Sequence, residues 1–75
     1  MVVNYFGRQI ELPAGHYAVC TDADGGVYSS ADVQPSYNKV TGTWCSPLFN
    51  PFELIDTRDD LDAEKSFVCY KPRNG

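Results

Sequence analysis

The fold is decided by the stretch Val2-Val3-Asn4-Tyr5-Phe6-Gly7-Arg8-Gln9-Ile10-Glu11-Leu12. Two β-prone runs flank Gly7-Arg8, a pair that suits a two-residue turn because glycine tolerates a positive φ. Pairing Phe6 with Gln9 and Tyr5 with Ile10 gathers four apolar side chains on one face. These are Val3, Tyr5, Ile10 and Leu12. An antiparallel hairpin requires one buried and one wet face, so the stretch predicts a β-hairpin.

A second hairpin is predicted for residues 16–30. Residues 16–21 and 27–30 are the strands, and Asp22-Ala23-Asp24-Gly25-Gly26 is the turn. Asp-Gly is the strongest short-range hairpin signal, while the second glycine leaves the loop length open by one residue. Further along, Thr43-Trp44-Cys45 predicts a short strand that places Trp44 against the sheet, and residues 66–70 predict a closing strand. Residues 34–36 and 39–42 are typical of a connection.

The segment from residue 51 to residue 62 is compatible with two structures. Asn50-Pro51-Phe52-Glu53 has the order of an N-cap, a first-turn proline and a capping-box acid, and Thr57-Arg58-Asp59-Asp60 repeats that signal. We therefore expect one short helix near residues 51–62. The competing interpretation makes residues 52–57 a strand and the acidic run a hairpin loop.

These elements predict a mainly β fold, a small twisted antiparallel sheet of four or five strands built from hairpins. A small α+β fold is the alternative. The 75 residues allow one domain, residues 1–75, with residues 71–75 as a basic, flexible tail. A chain this short has a limited core, so we expect either a monomer or a homodimer that shares apolar surface.

Charge and hydropathy exclude several classes of function. Six basic residues against ten acidic ones give a formal net charge of −4, which argues against direct nucleic-acid binding and against anionic membranes. No run approaches the roughly 20 apolar residues that span a bilayer. The stretch Met1–Tyr5 lacks the pattern of a signal peptide. We therefore expect a cytoplasmic protein.

The chemistry-bearing residues do not form a recognisable catalytic or metal pattern. His16, Cys20, Cys45 and Cys69 have the composition of a zinc site, but no close Cys-x₂₋₄-Cys pair is present. Three widely spaced cysteines also argue against a secreted disulfide scaffold, and we expect all three to be small buried thiols. A single histidine without an accompanying nucleophile motif argues against an enzyme. We expect no cofactor and no metal.

The acidic segment is the one charge feature that stands out. Six carboxylates lie within residues 53–64 and are opposed there only by Arg58. One interpretation is a solvated loop or helix face. The other is a docking surface for a basic site on another protein, with a neighbouring aromatic as its anchor. The candidate partner-binding residues are Phe52, Glu53, Asp56, Asp59, Asp60, Asp62 and Glu64.

Two phrases of the sequence carry a resemblance. Residues 17–28, Tyr17-Ala18-Val19-Cys20-Thr21-Asp22-Ala23-Asp24-Gly25-Gly26-Val27-Tyr28, are followed by Gln34-Pro35 and Gly42-Thr43-Trp44. This order resembles a loose group of very short proteins encoded by tailed phages and prophages, whose hairpin has the form Tyr-x-Ala-x-Asp-x-Asp-Gly-x-Val-Tyr. Here the middle position is shifted by one, the glycine is doubled, and the acidic segment has no counterpart.

The resemblance covers about two thirds of the chain and implies a setting, a phage gene expressed in a bacterial cytoplasm, without assigning a functional residue. Together with the acidic segment it leads to one expectation. The protein is a phage-encoded, non-enzymatic accessory protein that binds and modulates a host protein through an acidic surface. The alternative is a small structural or self-associating phage protein.

Overall fold

The computed structural model describes residues 1–31, 34–46 and 51–70. Their elements are β1 (Val2–Tyr5), β2 (Arg8–Glu11), β3 (Ala18–Thr21), β4 (Gly26–Ser30), β5 (Ser36–Asn38), β6 (Thr43–Cys45), β7 (Glu53–Thr57), a 3₁₀ turn (Ala63–Lys65) and β8 (Val68–Cys69). Of the described residues, 47% lie in strands and 5% in helical turns, which confirms the predicted mainly β fold. The predicted tail, residues 71–75, lies outside the described residues.

The first hairpin has the predicted buried face but a different register. Tyr5 pairs with Arg8 and Val3 with Ile10, so the loop is Phe6-Gly7 rather than Gly7-Arg8. Both loop residues have positive φ, 47° and 86°, as a type I′ turn requires. The observed pairing is shifted by two residues from the predicted one. Because side chains alternate with a period of two, the same apolar face stays buried.

Two contacts explain why the loop begins at Phe6. The Asn4 side-chain oxygen accepts a hydrogen bond from the Gly7 N–H at 3.0 Å. The Phe6 carbonyl accepts another from the Arg58 guanidinium at 3.0 Å. The second contact comes from a distant part of the chain. A rule that considers only the residues of the turn therefore cannot predict it.

The second hairpin belongs to a four-stranded antiparallel sheet in the order β7-β4-β3-β8. Thr21 pairs with Val27 and β4 begins at Gly26, so residues 22–25 connect the two strands, and Gly26, predicted as the last residue of the turn, belongs to β4. All four residues of β3 are buried. Side chains alternate across a strand, so burial of all four means that both faces of β3 are covered.

The segment around β7 corrects the expectation of a helix. Residues 53–57 form a strand along the outer edge of β4, and the described residues 51–62 contain no helical turn. The competing interpretation is right about the strand, but the acidic run is not a hairpin loop. It leads through the 3₁₀ turn to β8, on the opposite edge of the sheet. The cap signal fails because β4 is a buried strand whose outer edge needs a hydrogen-bonding partner.

The third sheet pairs β5 with β6, so Ser36, predicted as part of a connection, belongs to a strand, and the unassigned residues 37–38 continue it. This small hairpin docks onto the loop after β3. The Ala23 N–H donates to the Gly42 carbonyl at 2.7 Å, and the Trp44 N–H donates to the Asp22 carboxylate at 3.0 Å. Gly42 has a φ of +72°, and a Cβ there would lie 2.7 Å from the Cβ of Ala23. The close approach therefore requires glycine.

The core lies between the first hairpin and the four-stranded sheet. Its buried members are Val3, Tyr5, Ile10, Leu12, Val19 and Val27, and Ile55, Leu61, Val68 and Tyr70 pack against them. Fully burying each of these aliphatic side chains contributes about 1.5–3 kcal/mol. The core thus joins the strand face predicted from residues 2–12 to strands from the rest of the chain.

A buried polar network closes this core. The Tyr5 hydroxyl donates to the Ser66 carbonyl at 2.7 Å, so its oxygen accepts from the Thr21 hydroxyl at 2.8 Å. The Thr21 N–H donates to the Ser66 hydroxyl at 2.8 Å. The Trp44 indole N–H is shared between the carbonyls of Thr21 and Ala63, each 3.1 Å away. Among the described residues, every buried side-chain nitrogen and oxygen has a hydrogen-bond partner.

Within the described ranges no helix is long and apolar enough to cross a membrane.

Candidate functional site

The seven candidate partner-binding residues do not line one pocket. Glu53 and Asp56 lie on β7, Asp59 and Asp60 follow it, and Asp62 and Glu64 belong to the 3₁₀ turn. Phe52 lines a separate pocket. Of the neighbouring apolar residues, Leu54 is exposed on β7, and Phe49 lies outside the described residues.

Asp56 is paired with a residue of the first hairpin. The Arg8 guanidinium donates to the Asp56 carboxylate at 2.8 Å and to the Thr57 carbonyl at 3.0 Å. The hydrogen bond from Arg8 lowers the pKa of Asp56, so this carboxylate stays ionised. The pair is largely exposed, and its charge is compensated within the molecule.

Asp60 is paired still more closely. The Arg58 guanidinium donates two hydrogen bonds to the Asp60 carboxylate, both 2.7 Å long, in the bidentate geometry that favours arginine. These bonds lower the pKa of Asp60 to about 2. The same guanidinium donates to the carbonyls of Tyr5 and Phe6, at 2.8 and 3.0 Å, and lies 5.9 Å from the centre of the Tyr5 ring. Arg58 therefore ties the acidic segment to the first hairpin.

Asp62 and Glu64 have local structural roles. The Asp62 carboxylate accepts a hydrogen bond from the Glu64 N–H and caps the 3₁₀ turn. The Glu64 carboxylate lies 3.3 Å from the Lys39 ammonium in an exposed pair. An exposed pair of this kind contributes about 0–1 kcal/mol to stability. Neither carboxylate lines a described pocket.

The largest depression described is an open cleft of about 390 Å³ between the turns. We call it the acidic cleft. Its lining residues are Arg8, Asp24, Gly25, Thr57, Arg58, Asp59 and Asp60. Asp60 compensates Arg58, and Asp56 compensates Arg8, so the charges of Asp24 and Asp59 are left in surplus. Asp24 accepts a hydrogen bond from the Gly26 N–H, and Asp59 is exposed and makes no ion pair or hydrogen bond with the described residues.

Asp24 is the member of the cleft that the sequence analysis assigned only to a turn. Its loop reaches the acidic segment because the Arg58 N–H donates to the Gly25 carbonyl at 2.9 Å. Gly25 has a φ of +95°, and a Cβ there would lie 2.7 Å from the Arg58 carbonyl oxygen. The Asp-Gly signal was visible in the sequence, but its contact partner 33 positions later was not.

A second, smaller depression lies beside Trp44. We call it the aromatic pocket; its lining residues are Asp22, Tyr28, Trp44 and Phe52, and its volume is about 40 Å³. Burial, with a further contribution from Asp24, raises the pKa of Asp22, although the bond from the Trp44 N–H acts in the opposite direction. Phe52 is the only one of the seven candidates that belongs to this pocket.

The four residues that have the composition of a zinc site do not lie together. His16 Nδ1 lies 2.8 Å from the Ser29 hydroxyl, Cys20 is buried, and Cys45 and Cys69 are exposed on different strands. Within residues 1–31, 34–46 and 51–70, no three of the His, Cys, Asp and Glu side chains are placed to hold a metal ion. The expectation of buried thiols thus holds for Cys20 and is wrong for the other two.

The three thiols are expected to differ in reactivity. Burial raises the pKa of Cys20 to about 12 from 9.0, which lowers its thiolate fraction roughly a thousandfold at neutral pH. In the folded protein a thiol reagent should modify Cys45 and Cys69 rapidly, and Cys20 only after addition of denaturant. Timed alkylation with peptide mass mapping measures this. Modification of native Cys20 as fast as Cys69 would contradict the placement.

No protein-family model, curated protein or solved structure matches the chain.

Proposed function

We propose that this chain is a phage-encoded, non-enzymatic accessory protein of the bacterial cytoplasm that binds a basic site on a host protein through its acidic cleft. The observation that carries the proposal is the surplus of negative charge in the cleft, where Asp24 and Asp59 lack a compensating cation. The resemblance of residues 17–44 to short phage proteins supports the setting. Binding of this chain modulates the activity of the host protein.

The geometry of the cleft suits a lysine or arginine side chain of a partner. Arg58 pairs with Asp60, and Arg8 pairs with Asp56. The two arginines therefore line the cleft without neutralising the charges of the two remaining carboxylates. A cation entering the cleft gains two ionic partners, of which Asp24 is already held by its bond from the Gly26 N–H. Complementary charge of this kind mainly raises the association rate and the specificity of a complex.

The structure also narrows the choice of mutations. Changing Asp60 would release Arg58, and changing Asp62 would remove the cap of the 3₁₀ turn, so either change alters stability together with charge. Asp24→Asn keeps an oxygen for the Gly26 N–H, and Asp59→Asn breaks no described contact. The double variant Asp24→Asn/Asp59→Asn therefore removes the surplus charge alone.

We expect this double variant to retain about tenfold less of its partner than wild type in a quantitative pull-down from bacterial lysate, since each rim charge contributes somewhat less than 1 kcal/mol. The control is Glu11→Gln/Glu53→Gln, which removes two exposed carboxylates outside the cleft. Circular dichroism verifies the fold of both variants. Equal retention by the cleft variant and wild type would refute the proposal, and equal losses in both variants would attribute binding to net charge.

A further inference from the structure

We propose that the aromatic pocket binds a methylated, quaternary ammonium group. Three aromatic side chains and one carboxylate line a single small depression: Tyr28, Trp44, Phe52 and Asp22. A cation near aromatic rings is attracted by their negative faces, and tryptophan is the strongest of the three ring types. This site is distinct from the acidic cleft, with which it shares no lining residue, and it does not depend on the proposed function.

The pocket is held in shape before any ligand arrives. The Trp44 indole N–H donates to two carbonyl groups. The rings of Tyr37 and Phe67 pack against the indole ring, with centroids 5.3 and 5.8 Å away. The backbone N–H of Trp44 donates to the Asp22 carboxylate. The Asp22 oxygen that accepts this bond is Oδ1. Preorganisation lowers the entropic cost of binding. A fixed indole and a fixed carboxylate form one side of the site.

Gly26 shapes the opposite side. Gly26 and Tyr28 lie two residues apart on β4, so their side chains share one face of the strand. The Tyr28 ring lies against the backbone of Gly26, where a Cβ would come within 2.8 Å of the ring. Any side chain at position 26 would displace the Tyr28 ring. The glycine is therefore required for the wall of the pocket.

The chemistry of the lining favours a methylated over an unmodified ammonium. An –NH₃⁺ group carries three strong donors, and the lining provides only one carboxylate, of which Oδ1 is already engaged. Burying unpaired donors is costly, whereas a quaternary ammonium has no N–H groups to satisfy. The volume of about 40 Å³ admits a small head group with part of its surface in the open mouth, since one water requires about 10–15 Å³.

Titration with tetramethylammonium chloride tests the site directly. Trp44 is the only tryptophan, so its fluorescence reports the pocket, and isothermal calorimetry gives an independent value. We expect saturable binding with a dissociation constant on the order of 1 mM. Sodium chloride at the same concentrations is the reference. The absence of a saturable change beyond that of sodium chloride would overturn the proposal.

Three variants assign the binding to these side chains. Asp22→Asn removes the charge but keeps an oxygen for the Trp44 N–H, and Phe52→Leu removes one aromatic wall. Each should weaken binding at least fivefold. Phe6→Leu is the matched control, because Phe6 is an exposed aromatic residue of the first hairpin that does not line the pocket, and its affinity should stay within twofold of wild type. Wild-type affinity in both Asp22→Asn and Phe52→Leu, with folding verified by circular dichroism, would contradict the site.

Two further ligands identify the source of the group. Choline represents a free small molecule or a lipid head group, and a trimethyllysine peptide represents a modified protein. Tighter binding of one than of tetramethylammonium supports the proposal and identifies that source. Equal or tighter binding of the unmethylated lysine peptide would refute the preference for a quaternary ammonium. The variant Asp24→Asn/Asp59→Asn should bind tetramethylammonium like wild type, which separates this test from that of the acidic cleft.

Discussion

Replacing Tyr5 with phenylalanine is expected to lower the free energy of unfolding by about 2 kcal/mol. The change removes one hydroxyl and keeps the ring, which is 1% exposed. The Ser66 carbonyl then loses a donor and the Thr21 hydroxyl an acceptor, both in the buried interior. A buried group that loses its partner costs about 1–3 kcal/mol, more than the bond itself contributes.

Urea denaturation followed by circular dichroism measures the effect. Tyr17→Phe is the matched control, because this tyrosine is only partly buried and its hydroxyl makes no bond to the described residues. Its unfolding free energy should change by less than about 0.5 kcal/mol. A double-mutant cycle with Thr21→Val isolates the coupling between the two hydroxyls. Equal effects of the two tyrosine variants would contradict the buried network.

The second large effect is expected for Arg58→Met, which should lower the free energy of unfolding by about 2 kcal/mol. The side chain of Arg58 lies near the surface, yet only 6% of it is exposed. Methionine keeps much of the aliphatic stem but leaves the carbonyls of Tyr5 and Phe6 without their donor. Arg58→Lys should recover only part of the loss, since a point charge cannot reproduce the fork.

Arg8→Met is the control for Arg58→Met. Arg8 also pairs with an aspartate, but its side chain is 47% exposed, and the pair should contribute less than about 1 kcal/mol. An equal loss of unfolding free energy in the two variants would contradict the prediction, because it would mean that the bonds to the hairpin carbonyls add no stability beyond that of an exposed ion pair.

The Arg58 contact also predicts a pH dependence. The pKa of Asp60 is lowered in the folded state to about 2, from an unfolded value of about 3.9. A carboxyl group with a lowered folded pKa stabilises the fold above the unfolded value and loses this contribution as pH falls toward the folded one. Wild type should therefore lose stability between about pH 4 and pH 2 more steeply than Arg58→Met. Acid titration of the denaturation midpoint measures the difference.

The first hairpin shows how far local sequence determines structure here. The alternation of residues 2–12 predicts the buried face correctly, because any even shift of register preserves it. It does not predict the register itself. That choice depends on Arg58, a residue more than 50 positions away that binds the carbonyls of Tyr5 and Phe6.

The acidic segment shows the opposite case, in which residues that are close together in the sequence have different contacts in the folded protein. Contiguity in the sequence suggests one negative surface for Glu53, Asp56, Asp59, Asp60, Asp62 and Glu64. The strand β7 and the turn after it separate these residues, and Arg8, Arg58 and Lys39 compensate three of them. Two of these cations lie outside the segment, and Arg58 also binds the first hairpin. Counting the charges of the segment alone therefore does not predict which carboxylates are compensated.

The aromatic pocket could not have been predicted from the sequence. Its members come from the loop after β3, from β4, from β6 and from the residue before β7. Each has an ordinary local explanation, such as a turn aspartate or a strand tyrosine. Only the docking of the β5–β6 hairpin on Ala23 and Asp22 brings Trp44 beside the others.

The position of Ser66 near the end of the chain has a consequence for synthesis on the ribosome. Its carbonyl bonds Tyr5, 61 residues earlier, and its hydroxyl bonds Thr21, 45 residues earlier. Contacts between such distant parts of a chain form slowly, because a long loop must close first. Residues 2–30, which form the two hairpins, leave the ribosome before residue 66 does, so their shared interior is closed only after residue 66 has emerged. Nascent chains that stop before that residue will expose the Tyr5 hydroxyl and its apolar surroundings to chaperones and proteases.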